Sequence, residues 1–317
     1  MKVMKYRKLG NTGLKVSEMA FGSVGIGLPY ANQPMPSKAD AIHLLRKSLE
    51  EGINFYDTAR MYGTSESIIG AAFAGKRDQV ILSTKSVHFL NEDGTLPAEN
   101  ELRSTIRTSL EESLQALRTD YVDVFMLHQA NEEILRSEVV QSIFSALRSE
   151  GLVRFIGAST YEPEESRMCI ESGVWDVIQM PLNLLDQRHL QALNLAEQNG
   201  VGVIIRSVLF RGMLTGRPVS LHPDLEEVES HIAQLEQWNT GRYPDLLTLA
   251  VKYVLSYPAV SAALIGMDRM IHLTKALEVV RENELDEAVR GEVEARAFKN
   301  PDFLNLNQWI KKGWLKN

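Results

Sequence analysis

Four side chains in this sequence have the types needed to deliver a proton to a carbonyl oxygen while negative charge builds there. Asp57 closes the apolar run INFYD, Tyr62 follows in DTARMYG, Lys85 ends VILSTK, and His128 ends YVDVFMLH. A phenol has a pKa near about 10, and an adjacent ammonium that favours phenolate makes it a better acid near neutrality. Lys85 offers that charge to Tyr62. Asp57 can pair with Lys85 and keep it protonated away from water, and His128 can hydrogen-bond and orient the carbonyl oxygen. Singly, each has an ordinary explanation: a strand-end Asp caps helices, a Tyr fills cores, and a lone Lys or His serves structure or solubility. The chemistry needs elements that gather all four.

Short apolar runs alternating with amphipathic stretches supply such elements, because this alternation marks parallel strands linked by crossover helices. The strand candidates are Met19–Gly22, Ile53–Asp57, Val80–Thr84, Val122–Leu127, Val153–Ala158, Val177–Met180, Val201–Arg206 and Ala262–Ile265. Ser37 is placed to cap a helix carrying Ile42, Leu45 and Leu49 and ending at Gly52; Leu102, Ile106, Leu110, Leu114 and Leu117 mark another. Further helices fit 136–150, 163–172, 188–199, 245–257 and 269–282. Eight such units predict an α/β fold, a (β/α)8 TIM barrel formed as one domain by residues 1–317, with an open doubly wound sheet as the alternative. Ahead of it, Tyr6–Val16 reads as a β-hairpin turning at Gly10-Asn11-Thr12-Gly13. A long loop follows the seventh strand, within which LEEVESHIAQLEQ reads as a solvated helix face. The C-terminal tail, residues 300–317, carries Phe303, Trp309 and Trp314 and is expected to fold over the mouth of the barrel. There the strand ends Asp57, Lys85 and His128 converge.

The stretches GNTGLKVSEMAFG, DTARMYGTSE, STK, YVDVFMLH and VRFIGAST, in this order, resemble the aldo-keto reductase family over residues 5–285. The resemblance implies carbonyl reduction with a catalytic tetrad at Asp57, Tyr62, Lys85 and His128, and a nicotinamide dinucleotide lying across the barrel mouth. It implies carboxamide contacts at Ser159 and Gln179, with Thr160 where Asn is usual, and further cofactor contacts at Gly22, Ser23, Asp57, Ser207, Leu209 and Gly212. Arg206 stands where the family commonly stacks an aromatic ring on nicotinamide, a surface that a planar guanidinium also offers. LIGMDRMIHLTKA replaces the usual phosphate-binding stretch, and Gly266, His272, Lys275 and Ala276 depart from its pattern. Arg269 and Lys275 could still serve a 2′-phosphate, so NADP(H) is favoured over NAD(H).

Other function classes find little support. A net charge of −7 without a Lys/Arg cluster argues against nucleic-acid binding, and no apolar run approaches membrane-spanning length. The single cysteine, Cys169, cannot form an internal disulfide, and a cytoplasmic location is expected. HExxH and paired CxxC spacings are missing, so no metal is expected; neither Walker A, a Rossmann GxGxxG nor a GxSxG elbow occurs. The expected partner is a small carbonyl or alcohol, and a homo-oligomer is compatible with the sequence. Two competing functions are a barrel aldolase using Lys85 as a Schiff-base nucleophile, which requires a neutral lysine, and a cofactor-sensing module without catalysis.

Overall fold

The computed structural model describes residues 4–29, 34–216 and 221–315. Strands β1 (Tyr6–Lys8) and β2 (Lys15–Ser17) pair antiparallel and form the expected hairpin. Gly10 turns it with φ of 51°. A Cβ there would lie 2.3 Å from the Gly202 nitrogen and 2.4 Å from the Gly200 oxygen, so glycine is required both for the left-handed turn and for close approach to the barrel.

The eight expected runs are all strands, with their ends shifted by at most two residues. They are β3 (Met19–Gly22), β4 (Phe55–Asp57), β5 (Ile81–Lys85), β6 (Val122–Leu127), β7 (Val153–Ser159), β8 (Val177–Pro181), β9 (Gly202–Arg206) and β10 (Val260–Gly266). Every neighbour is parallel, and β10 pairs with β3 to close the barrel. The protein is therefore a (β/α)8 TIM barrel, not an open sheet. Register fixes which residues meet at the mouth: Gly22 lies beside Asp57, Asp57 beside Ser83, Ser159 beside Gln179, and Pro181 beside Arg206.

Side chains alternate across each strand. Inside the barrel, Ala20, Phe55, Val124, Met126, Val177, Ile204 and Ala262 pack with Leu9, Leu14 and Val16 from the hairpin, which plugs the floor at the N-terminal strand ends. Outside, a larger apolar layer that includes Phe21, Tyr56, Phe125 and Ile178 packs against the helices. Those helices are α1 (Val24–Gly27), α2 (Lys38–Glu50), α3 (Ser65–Ala72), α4 (Glu99–Leu117), α5 (Glu132–Arg136), α6 (Glu138–Ser149), α7 (Pro163–Glu171), α8 (Leu190–Asn199), α9 (Glu226–Asn239), α10 (Leu246–Leu255), α11 (Met270–Arg281), α12 (Glu287–Glu294) and α13 (Leu306–Lys311).

Ser37 caps α2 as expected, its hydroxyl accepting from the Asp40 backbone N–H at 3.1 Å. The buried face of α2 is rotated toward Ala41, Leu44, Leu45 and Ser48, leaving Ile42 and Leu49 half-buried. Helix α3 has no sequence counterpart above, because it is short and largely buried, without an amphipathic stripe. Its Gly70 lets it approach α4 closely: a Cβ would meet the Ala116 carbonyl oxygen at 2.5 Å. The loop after β9 contains α9, which buries Val228, Ile232 and Leu235 while Glu226 and Glu227 face water. Among the described residues no helix is long and apolar enough to cross a membrane.

Candidate active site

The ends of β4 and β5 bring Asp57 and Lys85 together in a dry setting. Lys85 Nζ donates to Asp57 Oδ2 at 2.6 Å and to the Thr58 carbonyl at 2.9 Å, with both side chains at most 2% exposed. Asp57 Oδ1 accepts from Gln179 Nε2 at 2.9 Å and from Ser83 Oγ at 3.3 Å. The carboxylate thus accepts from three side chains on two strands, β5 and β8, which fixes the position of its cation. Ser23 secures the backbone beneath it, its hydroxyl donating to the Asp57 carbonyl at 2.7 Å.

Tyr62 stands in the loop between β4 and α3, with Lys85 Nζ 5.1 Å from its ring centroid. His128, just past β6, meets the Tyr62 ring edge-on at a centroid distance of 5.4 Å. The four candidate catalytic residues therefore form one cluster. Burial holds the His128 imidazole down to about 3, helped by the positive charge of Lys85, so its neutral form is favoured. Its Nδ1 is buried with no hydrogen-bond partner. His88 packs edge-on against His128 at a centroid distance of 5.0 Å, a neighbour that the sequence did not single out.

Asp57 and Tyr62 line a cavity of about 1510 Å³. Gly22, Ser23, Gln179, Arg206, Ser207, Leu209 and Gly212 also line it, together with His272 and Lys275 on α11. Small-molecule pockets span roughly 300–1,000 Å³. The volume of this cavity exceeds that range, enough for a dinucleotide together with a second small molecule.

A family model described as the aldo/keto reductase family matches residues 18–296. The chain belongs to this family. It is similar to L-galactose dehydrogenase of Arabidopsis thaliana, at 31% identity over 93% of this chain and 95% of the relative. It is also similar to a protein of Escherichia coli strain K12 named NADH-specific methylglyoxal reductase, at 30% identity over 88% and 92% of the two chains. Among solved structures, the holo form of an aldo-keto reductase from Bacillus halodurans superposes with a TM-score of 0.78 at 27% identity, covering 93% of this chain and 96% of the other. The family is one of oxidoreductases that use nicotinamide cofactors on small molecules.

The sequence-assigned cofactor positions divide in the structure. Gly22, Ser23, Asp57, Gln179, Arg206, Ser207, Leu209, Gly212 and Lys275 line the cavity. Ser159, Thr160 and Arg269 are not among its lining residues. Ser159 sits beside Gln179 at the end of β7, and the Thr160 hydroxyl is engaged with Ser166 Oγ at 2.7 Å. Arg206 lays its guanidinium 4.2 Å from the Tyr161 ring centroid and donates to the Thr160 carbonyl at 2.8 Å. Its Nε is buried without a partner. One face of the guanidinium is thus taken by a protein aromatic, which only the fold could reveal.

The segment after β9 turns through left-handed conformations at Ser207, Phe210 and Arg211. Such strain persists where the surroundings enforce it, and here Asn183 Nδ2 donates to the Ser207 carbonyl at 3.3 Å. The tail rests on this segment: Trp309 is buried edge-on against Phe210 at 5.6 Å, and Asn305, Leu306 and Ile310 join the cavity wall. Arg188 ties the tail down by pairing with Asp302 and Glu162 at 3.0 Å each and with Asp186 at 2.9 Å. Arg188 and Tyr161 went unnoticed in the sequence, where neither carries a motif. Among the described residues, no group of three or more His, Cys, Asp or Glu could hold a metal ion.

Proposed function

We propose that this protein interconverts a carbonyl and an alcohol on a small aldehyde, ketone or sugar, using Tyr62 as general acid in the reducing direction. The observation that carries the proposal is the buried Lys85–Asp57 ion pair, 2.6 Å long, set beside the Tyr62 ring.

A nicotinamide dinucleotide, when bound, supplies the hydride for the carbonyl carbon; Gln179 and the 207–212 segment would hold it, and the volume of the cavity supports the fit. The chain's own residues handle the proton. As charge grows on the substrate oxygen, the Tyr62 hydroxyl delivers its proton there, and the phenolate left behind is stabilised by the Lys85 ammonium. Asp57 keeps that ammonium charged and in place, itself held by Gln179 and Ser83. Neutral His128 retains one ring N–H, which orients the oxygen without adding charge to the site. A Schiff-base role fits poorly, because Lys85 would have to give up its proton while bound to a carboxylate. The relatives named for L-galactose and methylglyoxal support small polar carbonyl compounds and sugars as the substrate class.

The decisive variant is Tyr62→Phe, which removes the proton and leaves the ring. Turnover on a carbonyl panel, followed by absorbance of the reduced nicotinamide, should fall by at least about 100-fold while dinucleotide affinity stays within a factor of about two. Turnover within about tenfold of the parent would reject Tyr62 as the acid.

A further inference from the structure

The cavity wall includes two carboxylates, each facing a basic side chain on α11. Asp268 sits just after β10 with its carboxylate against α1: a Cβ on Gly25 would lie 3.0 Å from Asp268 Cβ and 3.4 Å from its Oδ2. On α11, His272 Nδ1 lies 2.5 Å from Asp268 Oδ1. One turn further along, Lys275 Nζ lies 3.7 Å from Asp245 Oδ2, while the other oxygen of Asp245 caps α10 through the Thr248 N–H at 2.8 Å. Asp245, Asp268, His272 and Lys275 all line the cavity, whereas Arg269 is exposed and does not.

These pairings bear on the ribose that carries the 2′ substituent. A 2′-phosphate needs cationic donors with capacity to spare, whereas a 2′-hydroxyl needs an acceptor, a role that a carboxylate fills in doubly wound dinucleotide-binding folds. Here Lys275 already faces Asp245 and His272 already faces Asp268, and the carboxylates would meet a phosphate dianion as like charges. Resting on the function proposed above, we infer that this site selects NAD(H) over NADP(H), with Asp268 as the discriminating residue and Asp245 withholding Lys275 from phosphate. This reverses the preference drawn from Arg269 and Lys275 in the sequence alone, which was blind to the two carboxylates facing these positions.

The test is equilibrium binding of NADH and NADPH to the full chain, read by calorimetry, in the parent, Asp268→Ser and Asp268→Asn. The two ligands are compared within each protein, and the isosteric Asn variant guards against a general loss of fold. The parent should bind NADH at least about tenfold more tightly than NADPH, and both variants should narrow that ratio about tenfold, chiefly by gaining affinity for NADPH. NADPH binding as tightly as NADH in the parent would overturn the selectivity and leave the proposed oxidoreductase function standing. An unchanged ratio in both variants would overturn the role of Asp268. Failure of the parent to bind either dinucleotide would overturn the proposed function itself.

Discussion

Replacing Lys85 with Met strands a carboxylate inside the barrel. Asp57 Oδ2 would lose its cation, while Gln179 and Ser83 would remain on Oδ1. Removing one partner of a buried ion pair costs about 3–5 kcal/mol. A second route bounds the loss, because Asp57 can take up a proton instead. Protonating a carboxyl of ordinary pKa at pH 7 costs about 4 kcal/mol, at roughly 1.4 kcal/mol for each unit between about 3.9 and 7. The two routes agree on a destabilisation of about 3–4 kcal/mol at pH 7. The sign of its pH dependence follows. Acid relieves an uncompensated buried carboxylate by protonating it, so the penalty is largest near neutrality and shrinks as pH falls. The gap between parent and variant should therefore close by up to about 1.4 kcal/mol per unit as pH falls from 7 toward 5. Lys85→Met/Asp57→Asn, which has no charge to strand, should cost less than the single variant and show no such closing. Urea unfolding at both pH values, followed by circular dichroism, measures all three. A single-variant cost below about 1 kcal/mol, or a gap that does not narrow in acid, would refute the view that the pair is dry and mutually dependent.

The histidines at the mouth should make the fold acid-sensitive. Burial lowers His189 to about 4, with Arg206 and Arg188 adding to the effect against Asp186, and lowers His128 to about 3. Each folded pKa lies below its unfolded value, so the unfolded chain binds more protons below about pH 6.5, and stability falls as pH drops, by up to about 1.4 kcal/mol per unit per histidine. His189→Leu should flatten the stability curve between pH 6 and 4.5 by about that slope, and a curve parallel to the parent's would show that His189 charges freely in the fold. Deleting residues 300–317 should shift relative rates across a carbonyl panel by about tenfold or more while dinucleotide affinity changes little, because Asn305, Leu306 and Ile310 line the cavity. Equal relative rates in a truncated protein that remains folded would mean that the tail does not shape the substrate pocket.

The barrel was legible because a strand buried on both faces reads as an uninterrupted apolar run, and the polar residue ending each run marks the mouth. Asp57, Lys85 and His128 were found in this way, and Tyr62 by its spacing from Asp57. What stayed hidden depends on residues distant in sequence. Nothing near Arg206 announces that Tyr161 will cover one of its faces, since β7 and β9 become second neighbours only in the closed sheet. Asp245 faces Lys275 only because α10 and α11 lie side by side. The hydroxyl of Thr160 looked available until α7 brought Ser166 to it. Short buried α3 escaped because helical periodicity is visible only where one face meets water.

The hairpin that plugs the floor separates what holds the protein together from what it acts upon. Leu9, Leu14 and Val16 fill the barrel from below, and Gly10 grips the start of β9, at the opposite end from Tyr62 and the cavity. Loops at the rim can therefore lengthen, shorten or change composition without reopening this seal. A lineage built on such a body is free to explore new substrates by drift at its upper loops, and the same freedom invites an engineer to graft loops from relatives while leaving the base untouched.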